Sequence, residues 1–330
     1  MSDKGKFVIS LDFELLWGMR DKVSKEDYGE NIIAVRDILP RMLDLFTEYD
    51  VKATFATVGF LFASNKQELL EYCPESKPNY KDDNLSPYNG HFNLIKESEV
   101  EDKYHYAADL IELLKEYPEQ EIGSHTFSHY YCNSEGQSID EFASDMEAAV
   151  KIANAKNIDL KSLIFPRNMV NDDYLKVCES NGINSFRGNE HVWFHKDEKT
   201  SRIKTLAKRG FRLLNAYINV AGHHCYRTED IAKKKPYDIP ASRFLRPYSK
   251  RLKILEGIRR KRILKSMTFA ARNGEVYHLW WHPHNFGQNQ EENFMFLNDI
   301  LKHYKKLNKT FGFTSITMKD LATQMDNSYA

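Results

Sequence analysis

Phe7-Val8-Ile9-Ser10-Leu11 is a nearly unbroken apolar run with β-branched members, the pattern of a strand covered on both faces in a parallel sheet. It ends in Asp12-Phe13-Glu14. Residues two apart on a strand point the same way, so both carboxylates project together from its C-terminal end. Burying such a pair is costly unless the two share a cation or divide protonation roles. If the strand stops at Leu11 instead, both acids are simply solvated.

Similar units recur along the chain. A helical repeat over 31–50 (Ile32, Val35, Ile38, Leu39, Met42, Leu43, Phe46), which Pro40 would kink or split, precedes a second strand at 51–59 and completes a βαβ unit. A helix over 107–116 leads into a short strand-like segment at 120–124. A helix over 139–156 follows with Ser138 as its N-cap, then a strand at 160–165 ending in Pro166-Arg167-Asn168. Next come a helix at 172–180, stopped by Gly182, and a short strand at 184–186 ending at Arg187. Residues 276–281 form a later strand in which alternation sends His278, Trp280 and His282 the same way before Pro283 ends it. A helix at 291–307 and a strand at 312–317 complete the chain. The strand ends deliver Asp12, Glu14, His125, Arg167, Arg187 and His282 to one rim, where α/β barrels place their chemistry.

Two stretches interrupt the alternation. Residues 72–104 are polar and irregular, with Pro74, Pro78, Pro87 and Gly90, and read as an insertion covering one mouth; His91 and His105 in and beside it read as surface residues. Residues 188–272 form a second insertion, with a strand at 211–220 followed by His223-His224, a doublet that could hold substrate or phosphate or be ordinary loop histidines.

At Ser124-His125-Thr126-Phe127-Ser128-His129 two imidazoles lie four residues apart. On a helical turn they share a side and can share a metal ion; the plain alternative is two unrelated histidines. Cys73, Cys132, Cys178 and Cys225 are scattered, which suits reduced thiols and neither a disulfide framework nor a zinc knuckle.

Zero formal net charge excludes a global field that would gather nucleic acid or lipid. From Arg243 to Lys265, however, arginine and lysine crowd the chain against the single acid Glu256, with Leu252, Leu255, Ile258, Ile263 and Leu264 interleaved. That reads as a basic amphipathic helix meeting a phosphorylated sugar donor or an anionic membrane surface, or else as a solvated face. With no secretory leader and no apolar run of about 18 residues, the expected location is cytoplasmic, with the basic stretch as a peripheral contact to the inner membrane face.

Taken in order, Ser10-Leu11-Asp12-Phe13-Glu14, Ser124-His125-Thr126-Phe127-Ser128-His129, Phe165-Pro166-Arg167-Asn168 and Leu279-Trp280-Trp281-His282-Pro283 resemble the motifs of the polysaccharide deacetylase superfamily, carbohydrate esterase family 4. The resemblance spans most of the chain. It implies an α/β fold, a distorted (β/α) barrel of about seven parallel strands, as one catalytic domain over residues 1–330. It also implies metal-dependent hydrolysis of an N-acyl group on an amino sugar. Carried over, Glu14, His125 and His129 would hold Zn²⁺ or another divalent metal. Asp12 would be the general base, Arg167 would orient it, and His282, with His284 as the alternative, would protonate the departing amine. The sequence departs from the commonest pattern in its Asp-Phe-Glu acidic pair, where relatives carry Asp-Asp, and in the order Pro-Arg-Asn. An Asp-x-Glu pair also resembles that of allantoinases, so an amidohydrolase on a small non-sugar amide is one alternative and a catalytically silent carbohydrate-binding barrel another. The substrate that fits is a nucleotide-linked or lipid-linked N-acylated amino sugar in surface polysaccharide synthesis.

Overall fold

The computed structural model describes residues 4–191, 210, 211 and 213–329. Among them nine short strands form one sheet in which every pairing is parallel: β1 (Lys6–Phe13), β2 (Thr54–Thr57), β3 (Glu121–Ser124), β4 (Ser162–Leu163), β5 (Ser185–Phe186), β6 (Tyr237–Asp238), β7 (Arg243–Phe244), β8 (Val276–Trp281) and β9 (Thr314–Ser315). The spatial order is β6-β5-β4-β3-β2-β1-β8-β7, with β9 beside the start of β1. Its two ends meet. Tyr237, Ile239 and Ala241 donate their N–H groups to Asn184, Phe186 and Gly188, whereas Ser242 and Leu245 donate theirs to His278 and Trp280. One extended segment thus serves β5 with its first half and β8 with its second, and the wall closes with seven strand positions. The expected distorted (β/α) barrel is what forms.

β1 lies at the centre of the wall, buried on both faces from Phe7 to Phe13, as its uninterrupted apolar run requires. Helices cover the outside. The repeat at 31–50 resolves into helices Lys25–Ile33 and Val35–Glu48, and the break falls at Ala34 while Pro40 is carried inside the second helix. Ile38, Leu39, Met42, Leu43 and Phe46 are fully buried in the core cluster. Each such side chain contributes about 1.5–3 kcal/mol. Helix Ile139–Ala155 starts at a capping box, with the Ser138 side chain accepting from the Glu141 N–H and the Glu141 carboxylate accepting in return.

Several expectations fail locally. Residues 213–217 are helical, where a strand over 211–220 was expected; Leu213, Leu214 and Ala216 are better helix than strand formers, and Ile218 and Val220 lie beyond that helix. The stretch 188–272 supplies wall strands β6 and β7 along with loops. The basic run is also no continuous helix: it begins as β7, passes through a 3-10 turn (Lys250–Leu255), and becomes helical only at Glu256–Asn273. Arg243, Arg259 and Arg262 are buried, leaving Lys250, Arg251, Lys253, Arg260, Lys261 and Lys265 outward. Helix Met318–Tyr329 was not anticipated. Among the described residues no helix is long and apolar enough to cross a membrane. The four cysteines are free, and the Cys132 thiol donates to the Met169 carbonyl.

Candidate active site

The C-terminal ends of β1, β3, β5 and β8 bring distant residues onto one rim. Glu14 follows β1, and its Oε2 lies 3.3 Å from His125 Nε2 and 3.1 Å from His129 Nε2. The three ligand-type atoms lie within 4.8 Å of one another, and all three residues are buried. His125 donates Nδ1–H to the Ile164 carbonyl (2.8 Å), which fixes its tautomer and leaves Nε2 buried without a hydrogen-bond partner. His129 Nδ1 faces the Tyr131 hydroxyl at 3.1 Å and the Arg20 guanidinium at 3.5 Å, which turns Nε2 toward Glu14. Burial pushes His129 down to about 3 even against Glu14, which keeps the neutral form a metal ligand needs. Burial opposes ionisation of Glu14, but His282, His125 and His129 together outweigh it and hold the carboxyl well below its ordinary range. Two imidazole nitrogens, one of them orphaned, and a carboxylate within reach of one another fit a divalent cation. Glu14 also needs Gly18: a Cβ there would lie 1.9 Å from Glu14 Cδ.

The two histidines do not sit on a helical turn. Residues 125–130 are irregular, bent at Phe127 and Ser128, with Thr126 (φ 63°) and His129 (φ 56°) in the left-handed region, a conformation that costs a β-branched residue such as threonine of order 1–3 kcal/mol. Asp145 on helix Ile139–Ala155 offsets this. Its carboxylate accepts from Phe127 N (2.7 Å), Ser128 N (3.1 Å) and the Ser128 hydroxyl, while Thr126 Oγ1 accepts from Tyr130 N (2.7 Å). Asp145 was not singled out from the sequence, because a polar residue on the buried face of a helix gives no hint of the loop it holds. Asp145→Asn turns one acceptor into a donor facing other donors and is expected to cost roughly 1–3 kcal/mol in urea unfolding, with weaker metal binding in the same protein.

Asp12 is buried and gripped in bidentate fashion by Arg187, at 2.6 and 2.8 Å. Burial would raise its pKa, but the Arg187 guanidinium, helped by His282 and His125, brings it below the usual 3.8. It is therefore held as a proton acceptor. Arg187 continues to Ser10 Oγ (3.0 Å) and Asn168 Oδ1 (2.7 Å), and its guanidinium lies 4.1 Å over the Trp280 ring. Ser10 in turn meets His278 Nε2 at 2.8 Å.

Arg167, expected to orient Asp12, does not reach it. Its backbone turns left-handed (φ 58°) and its side chain pairs with Asp21 at 2.5 Å over the Tyr131 ring. His282 Nε2 stands 3.7 Å from Asp12 Oδ2 and 3.6 Å from Glu14 Oε1, with Nδ1 donating to Asn285 Oδ1 (3.2 Å). His284 stacks on His282 with ring centroids 4.9 Å apart, and burial pushes it down to about 3, so it is held neutral and makes a poor proton donor.

The 72–104 stretch reaches the rim where the Tyr80 hydroxyl accepts from Tyr131 N, two residues after His129. His105, expected at the surface, is buried, 2.8 Å from Asp102 and edge-on to Trp17. His223 stacks on Phe269 and meets Ser266 Oγ, and His224 lies 3.9 Å from Glu190; neither joins the metal cluster.

Residues 26–186 match the family model for polysaccharide deacetylases. Those residues, just under half of the chain, carry the polysaccharide deacetylase pattern. No curated protein sequence matches it. Among solved structures, this chain is similar to proteins assigned as polysaccharide deacetylases from Mycobacterium smegmatis (10% identity, 99% of this chain, 92% of that one, TM-score 0.59) and Pseudomonas aeruginosa PAO1 (10%, 98%, 91%, 0.52). It is also similar to PuuE allantoinase (10%, 98%, 90%, 0.53). At such identities the likeness is one of fold. The family match begins after Asp12 and Glu14 and ends before Arg187 and His282, so the site of this chain is read from its own geometry.

Proposed function

We propose that this protein is a metal-dependent hydrolase that removes an N-acyl group from an amino sugar. The observation that carries the reading is the convergence of a buried Glu14-His125-His129 cluster with Asp12 on one side and His282 within 4 Å of both carboxylates. A divalent cation held by Glu14, His125 and His129 would supply Lewis-acid polarisation at the acyl carbonyl. Asp12, kept ionised by Arg187, accepts the proton of the attacking water as its oxygen adds to the carbonyl carbon. His282 gives a proton to the nitrogen as the C–N bond breaks, so the products are a free amine and a carboxylate. Trp280, with its ring 5.7 Å from that of His282, shields the proton transfer from bulk water.

The test is release of acetate from N-acetylated amino-sugar oligomers by metal-loaded protein, with allantoin as the comparison substrate. Ureide formation without acetate release would overturn the reading. His282→Gln is expected to lower kcat by about 10²–10⁴-fold with metal content unchanged, checked by elemental analysis beside the rate assay.

A further inference from the structure

Beside the site lies a cleft of about 290 Å³ whose lining includes Arg243, Arg246, Glu190, Asn215, Phe244 and Trp280. It opens directly next to the reacting groups: Phe244 and Trp280 lie 4.6 Å apart, with ring centroids 6.1 and 5.7 Å from that of His282. Arg243 is only 4% exposed. Its Nη1 donates to the Asn215 carbonyl at 2.9 Å, yet Nε and Nη2 are buried without a hydrogen-bond partner. A guanidinium cannot shed its proton, and leaving its N–H groups unmade in a buried site is costly. Arg246, on the same segment, is half-buried and pairs with no carboxylate among the described residues. Arg167, at the cleft's other side, is neutralised by Asp21. Glu190 is the one carboxylate among the described lining residues, so two guanidiniums outnumber it.

Resting on the deacylase reading above, we infer that this cleft is an anion subsite: the N-acyl sugar carries an oxyanion, phosphoryl or carboxylate, that Arg243 and Arg246 bind about one sugar ring from the reacting amide. Nothing in the hydrolytic step uses these two arginines. The fork of Arg243 suits a planar or tetrahedral oxyanion through two N–H donors.

The experiment is calorimetric titration of the metal-loaded full chain with glucose 1-phosphate and with glucuronate, which carry the anion but no acyl group. One or both are expected to bind, with Arg243→Met and the half-exposed Arg246→Gln each weakening binding about 10–100-fold, the worth of a charge-assisted hydrogen bond. Lys302→Gln, which removes the same charge outside the cleft, is expected to change nothing. Arg246→Gln keeps the test decisive if Arg243→Met fails to fold. Tighter binding of glucose 1-phosphate assigns a phospho-sugar, and tighter binding of glucuronate assigns a uronate. The inference is overturned if neither ligand binds below about 10 mM, a binding free energy weaker than about 3 kcal/mol, or if Arg246→Gln binds as wild type does. Hydrolysis of N-acetylglucosamine 1-phosphate is measured alongside a neutral N-acetylglucosamine oligomer. Anion binding without hydrolysis of either sugar defeats the deacylase reading alone, and hydrolysis without anion binding defeats the subsite alone.

Discussion

Replacing His125 by alanine is expected to strip the protein of divalent metal and of hydrolysis together. Changes to groups that merely orient a ligand cost about 10–100-fold in metal affinity, so loss of a ligand itself should exceed 100-fold. The geometry makes His125 the sharper choice of the two imidazoles. Its Nδ1 is already committed to the Ile164 carbonyl and its Nε2 is the orphaned atom. Metal per protein by elemental analysis, zinc titration and acetate release are the readouts. Far-UV circular dichroism guards against misfolding, since the Ile164 carbonyl loses its donor at a cost of roughly 1–3 kcal/mol. Full metal occupancy in His125→Ala would remove the cluster from the mechanism.

The largest effect on stability is expected from Arg187→Met. The substitution leaves Asp12 buried with no cation on its carboxylate, and breaking such a pair from one side costs about 3–5 kcal/mol. The sign of its pH dependence follows from the direction of the shift. In the native protein burial raises Asp12 but Arg187 more than compensates, so its pKa is lowered. The stabilisation is therefore present above the ordinary value of 3.8 and is lost as pH falls through the folded-state value. In the variant the uncompensated burial pushes Asp12 the other way, and acid relieves it by protonating the carboxyl. The gap between wild type and Arg187→Met in urea unfolding should thus be wide at pH 7 and narrow toward pH 4. Activity should fall about 100-fold, as expected when a proton acceptor is displaced by about an ångström. A pH-independent gap would mean that lost packing against Trp280, and not the charge on Asp12, is what the variant reports.

What the sequence disclosed follows from how local each signal is. Asp12, Glu14 and His282 were legible because a strand's period of two and its abrupt end place side chains without knowledge of neighbours. The choice between Arg167 and Arg187 was not, since both follow short strands. β4 ends at Leu163, and Arg167 lies four residues on in a left-handed turn, whereas Arg187 comes directly after β5 and keeps its inward parity with Ser185. That parity was the available signal. The helix Met318–Tyr329 was equally available in the spacing of Met318, Leu321, Ala322 and Met325, all buried. The left-handed residues Thr126 and His129, by contrast, depend on Asp145 from another element, and no pattern within the loop announces them. The short β6 and β7 depend on which edges they close, which is a property of the finished wall.

The position of β1 bears on how such a chain is made. Ser10 to Phe13 pair with β2 some 40 residues later, but Lys6 to Leu11 wait for Val276–Trp281 and, at their start, for Thr314–Ser315. At a synthesis rate of about 5–20 residues per second, one flank of this apolar strand stays open for roughly 15–55 seconds on the ribosome. A nascent chain with an unpaired hydrophobic strand edge invites wrong partners for that whole interval. The strand that carries Asp12 and leads into Glu14 is thus also the one for which shielding by a chaperone during translation matters most.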